Sequence, residues 1–113
     1  MLTFQHMGET YEVKVDRKYA NGNTYVEVDL GGEPFATLSV NMPPYDRLPD
    51  GVFFLKDWSE NVLIAASFIE SGLVERADDF EERYSGFVAA DAYRFVADGS
   101  WKWDDGVWPK VDR

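Results

Sequence analysis

The sequence predicts an α+β fold: an antiparallel sheet of about four to six strands, with one main helix over about residues 58–71 packed on one face. Three observations predict it. Two stretches alternate apolar and polar residues with a period of two, as half-buried strands do. Only one stretch carries an apolar stripe at helical spacing, and it has its own start and stop signals. Glycine, proline and asparagine clusters divide the rest into short segments of strand length. At 113 residues the chain is expected to form a single domain over 1–113.

A first short strand is expected around Leu2 to Gln5. Tyr11, Val13 and Val15 then alternate with Glu12, Lys14 and Asp16, and Val26, Val28 and Leu30 alternate with Tyr25, Glu27 and Asp29. Between them lies Asn21-Gly22-Asn23, whose residues tolerate positive φ. These two runs predict a β-hairpin. After the break at Gly31-Gly32-Glu33-Pro34, Phe35 to Asn41 reads as one strand, with Ala36, Leu38 and Val40 on one face. Residues 42–51 form a proline-rich loop, since proline lacks the donor a ladder needs. Val52 to Lys56 is a short, mostly apolar strand.

For the helix, Asp57-Trp58-Ser59-Glu60 offers a capping box with Asp57 as N-cap, although Ser59 could cap instead. Val62, Leu63, Ala65, Ala66 and Ile69 supply the stripe, and Gly72 stands where a left-handed C-cap residue belongs. Residues 75–85 read as an acidic loop or a short helical turn. Phe87 to Ala90 and Tyr93 to Val96 form one bulged strand or two short ones, and Asp98-Gly99 turns the chain. The tail from Trp101 to Pro109 holds three of the four tryptophans.

Composition narrows the function. Hydrophobic residues make up 45%, too many for a chain disordered throughout. There is no cysteine, which excludes disulfides and thiolate metal sites and suits a reducing cytoplasm. No apolar run approaches the roughly 20 residues that span a bilayer. The opening residues lack the pattern of a secretory leader. A net charge of −10 disfavours direct contact with nucleic acid or anionic lipid, because phosphates are bound by cations. The natural complement is a basic protein surface; keeping a small protein soluble is the other service such charge performs.

The sequence holds no catalytic constellation. His6 is the only histidine, and it is expected at the surface near a fraying end. Asp78-Asp79-Phe80-Glu81-Glu82 lacks the alternating spacing and the glycine of a calcium loop. Gly31-Gly32 has no phosphate-loop pattern around it. No cofactor and no metal are expected. A hydrolase built on paired carboxylates would need a cleft and a carboxyl of raised pKa.

Charge distribution marks the candidate partner-binding residues. Residues 1–56 hold eight acids against five bases, and residues 57–113 hold thirteen against six. Glu75, Asp78, Asp79, Glu81 and Glu82 crowd one segment whose only base is Arg76. On the hairpin, Glu27 and Asp29 share a face about 7 Å apart by strand geometry, close to the spacing of phosphates along a DNA strand. Trp101 and Trp103 lie beside Asp104 and Asp105. That group is either a tail folded over the core or an exposed aromatic anchor with acidic guides.

Gly32 to Asn41, Lys56 to Asn61 and Glu70 to Leu73 together resemble an uncharacterised family of short proteins carried by bacterial plasmids, phages and integrative elements. The resemblance covers roughly residues 24–96, and its motifs are structural: turn, strand, helix cap, helix stop. It carries over no catalytic residue. It implies a setting in which small acidic proteins antagonise host defence, and the chain is similar in type to anti-CRISPR and anti-restriction proteins. The expected function is therefore a non-enzymatic, monomeric, acidic inhibitor of a basic, nucleic-acid-binding defence complex. An anti-CRISPR acting on a type I complex by DNA mimicry or occlusion is the leading form. The alternative is a general protein-binding accessory or regulatory module of a mobile element, with its acidity serving solubility.

Overall fold

The computed structural model describes residues 2–96, together with the backbone of 101–102 and 110–111. The fold is α+β, but its strands divide into two four-stranded antiparallel sheets where the sequence suggested one. The first sheet has the order β1-β2-β3-β4, formed by Leu2–His6, Glu9–Lys14, Glu27–Leu30 and Glu33–Thr37. Met7 and Gly8 both take positive φ, the mirror-image turn that joins β1 to β2 with least splay. The predicted hairpin is present as β2 and β3, with Val13 opposite Val28. Its connection is longer than the Asn-Gly signal implied. The turn closes locally, from the Gly22 N–H to the Tyr19 carbonyl at 2.8 Å, at the end of an excursion bridged by Lys18 and Thr24. A bulge between Val28 and Asp29 shifts the pairing of β3 with β4.

The strand expected over Phe35 to Asn41 is cut at Leu38. Its first part is β4; its second, Ser39–Val40, is β5 at the edge of the other sheet. Leu38 is fully buried and ties the two sheets through its backbone. Its N–H donates to the Val26 carbonyl at 2.9 Å, and its carbonyl accepts from the Lys56 N–H at 2.7 Å.

The second sheet has the order β5-β6-β10-β7, with β6 at Val52–Leu55, β7 at Val74–Arg76 and β10 at Ala92–Phe95. All four residues of β6 are buried, because this strand has a core on each side. Phe53 and Leu55 join the main core, with Phe4, Tyr11, Val13 and Val28 of the first sheet and Ile64, Ala65 and Phe68 of the helix. Val52 and Phe54 join a second core with Met42, Leu48, Ala77, Ala90 and Ala92, flanked by Trp58 and Phe80. Two further strands, β8 (Arg83–Ser85) and β9 (Val88–Ala90), form a separate hairpin. A last pair, β11 (Trp101–Lys102) and β12 (Lys110–Val111), is antiparallel.

Among the described residues the one α-helix, α1, spans Val62–Glu70 and is preceded by a 3-10 turn at Ser59–Asn61. Phe68 is its innermost residue, with ring centroids 5.4 Å from Phe4 and 6.1 Å from Phe95. The predicted capping box does not form: neither Trp58 nor Asn61 makes a side-chain cap. Lys56 Nζ takes the Glu60 carboxylate instead, at 3.1 Å. The buried Asn61 side chain turns away from the helix and donates to the carbonyls of Thr37 and Lys56, at 2.7 and 3.1 Å. The helix ends as predicted, at a Gly72 with φ of 81°. Among the described residues no helix is long and apolar enough to cross a membrane.

Candidate protein-binding interface

Residues 75–85 are the predicted loop only over 77–82, around a tight turn, with strand at either end. β7 supplies Glu75 and Arg76 at the edge of the second sheet, opposite Arg94 and Tyr93 of β10. Ala77 then dips into the second core, where its N–H donates to the Ala92 carbonyl at 2.9 Å. Asp78 and Asp79 occupy the turn that this plug forces outward, and the Phe80 N–H closes it on the Ala77 carbonyl at 3.0 Å. Further on, the two short strands of the alternative reading are present, divided at Asp91.

This arrangement gathers carboxylates that are distant in sequence. Arg76 lies 3.1 Å from Asp91 and 3.9 Å from Asp78. The Asp91 carboxyl is held above the usual aspartate range, first by burial; Arg76 pulls against this, while Glu82 and Asp57 push the same way. Glu82 also accepts the Tyr84 hydroxyl, which raises the phenol's pKa. Asp78 and Asp91 thus share one guanidinium, and Asp57 and Glu82 act on Asp91. From the sequence Asp57 is read only as a helix cap, and neither it nor Asp91 is among the expected partner-binding residues. They come from the loop before the helix and the break between β9 and β10, and no local pattern reports that meeting.

Ion pairs decide which of the sequence-predicted acids remain available. Asp79 is bound by Arg94, Asp46 by Arg83, and Asp50 by both Arg47 and Lys18. Those bonds hold the carboxyls of Asp46 and Asp50 below the usual aspartate value, the nearest arginine contributing most in each case. Glu75 and Glu81 are exposed and make no ion pair among the described residues. Most described cations are already matched, so Glu75 and Glu81 face solvent without one.

Glu27 and Asp29 lie elsewhere, on the outer face of the first sheet, opposite Lys14 and Glu12. Their carboxyls turn toward each other. A hydrogen bond to Asp29 is the main cause that raises the Glu27 pKa. Asp29 is only 7% exposed, and its Oδ1 has no hydrogen-bond partner. The bulge beside Asp29 leaves Phe35 of β4 as the extra residue, while β3 keeps its register with β2. Trp101 lies on β11, while Trp103, Asp104 and Asp105 fall outside the described residues.

His6 is buried rather than at the surface, with Nδ1 2.7 Å from the Ser67 hydroxyl and its ring edge-on to Tyr11. Strand β1 is fixed along its length by β2, so this end holds the residue in place. Ser67 lies inside α1, one turn before its end. No group of three or more His, Asp or Glu side chains among the described residues is placed to hold a metal ion. No family model, curated protein or solved structure matches the chain, so the reading of its function rests on this carboxylate cluster and its surroundings.

Proposed function

We propose that the chain is a non-enzymatic acidic ligand that occupies a cationic, nucleic-acid-binding surface on another protein. One observation carries this reading: Arg76 pairs with both Asp78 and Asp91, the Asp57 and Glu82 carboxylates act on Asp91 in turn, and Glu75 and Glu81 are exposed without an ion pair among the described residues. Packing carboxylates together costs electrostatic energy, which a partner's lysines and arginines would return on binding. The resemblance to proteins of mobile elements gives this chemistry a setting, and inhibition of a type I CRISPR complex is its leading form. Here the DNA-like spacing assigned to Glu27 and Asp29 gives way to the carboxylates about Asp91 and Arg76, because Asp29 is buried.

The test is a pull-down with tagged protein from nuclease-treated lysate of cells with active CRISPR and restriction systems, eluted by a salt gradient. A DNA-handling complex released by moderate salt and displaced by added DNA is the expected result. Charge reversal of Glu81 and Glu82 to Lys should weaken capture about tenfold or more, at about 1 kcal/mol per lost charge contact. Capture undiminished by salt, DNA and both reversals would remove the proposal.

A further inference from the structure

The β8–β9 hairpin carries an apolar group that folding does not use. Phe87 stands at its tip fully exposed, at 109% of the reference value, and Tyr84 beside the tip is 65% exposed. The base of the same hairpin is fixed. Ala90 is buried in the second core, and Arg83, opposite it in register, is held by the Asp46 carboxylate. The Arg83 guanidinium also lies over the Phe54 ring, 5.1 Å from its centroid. The turn depends on Gly86, whose φ is 62°. A phenylalanine held in water at the end of an anchored mount gains nothing for the monomer, because its transfer energy is unrealised.

We propose that the β8–β9 tip, through Phe87 and secondarily Tyr84, is an apolar anchor that inserts into a pocket rimmed by lysine and arginine on a protein partner. Charge fixes the partner's chemistry. Glu81, Glu82 and Asp91 flank the hairpin. They repel nucleic acid, anionic lipid and a second copy of this chain, and they attract a basic rim. A large aromatic on a rigid mount, surrounded by guiding charges, is the arrangement in which a few residues dominate binding energy. The anchor assignment rests on the acidic-ligand reading and adds a term to it that salt does not screen.

The experiment uses the full chain and a purified type I surveillance complex as the probe, with affinity measured across a salt series. Phe87→Ser should weaken binding by about 30-fold at every salt concentration, leaving the salt slope as in the wild type. Phe87→Leu should recover most of the loss. Charge reversal at Glu81 and Glu82 should instead flatten the slope. Because Phe87 makes no core contact, Phe87→Ser should keep the wild-type melting temperature, which separates lost binding from lost folding. Binding by Phe87→Ser within twofold of wild type would overturn the anchor and leave the acidic-ligand reading standing. Absence of salt-sensitive binding by the wild type would overturn that reading, and the anchor with it.

Discussion

Asn61 shows how one side chain can be worth more to tertiary structure than to the helix it precedes. At 1% exposure it satisfies two carbonyls, one at the end of β4 and one after β6. Asn61→Ala should cost about 2–3 kcal/mol in urea denaturation, since both acceptors lose their donor in a dry site. A loss below about 0.5 kcal/mol would mean that water replaces the amide. Asp29 offers the opposite case, a carboxyl whose removal should help. The Glu27 carboxyl is raised above its ordinary value of 4.5, first by its hydrogen bond to Asp29. A raised acid contributes stability below its unfolded pKa and loses it as pH rises through the folded one. Asp29→Asn should therefore gain on the wild type as pH climbs from 4 toward 7, measured by denaturation at each pH. A difference that stays constant with pH would show that the pair does not share a proton.

At the scale of elements, the readable features were those with a local cause. The alternation in β2 survives because that strand has one wet face, whereas in β3 Asp29 is buried beside Val28, and Gly72 ends α1 because its φ of 81° suits few other residues. A Cβ at Gly72 would meet no atom within 4 Å, so Gly72→Ala isolates the backbone term. It should cost about 1–2 kcal/mol in thermal unfolding. The capping box failed because Lys56 competes for Glu60 and Asn61 is committed to the sheet corner. The division of one predicted strand at Leu38 was also hidden, since Ala36, Leu38 and Val40 alternate unbroken across it. Nor could Val52–Leu55 announce two cores. A continuous apolar run says that both faces are covered without saying by what.

The candidate interface was legible in part for the same reason. The acidic density of 75–82 is a local count and was visible. Its meeting with Asp57 and Asp91 depends on how β6, β7 and β10 pair. The sequence also could not tell that Asp79 is neutralised by Arg94 or that Asp29 is buried. Phe87 was hardest to see, because an apolar residue in a strand-like run is expected to point inward. Only the glycine before it hinted at a turn.

Across the whole molecule, Leu38 makes one statement about how the protein comes apart. Its amide belongs to one sheet's bonding and its carbonyl to the other's, so neither sheet can open at that corner without the other losing a bond. The two sheets are therefore expected to behave as one cooperative unfolding unit. The amides of Leu38 and Lys56 should exchange with deuterium together, at the rate set by global unfolding. Two distinct rates would assign the sheets to separate units. If the rates agree, a mutation that loosens either sheet lowers the stability of both, and the mount of the Phe87 hairpin inherits the strength of a sheet to which it does not belong.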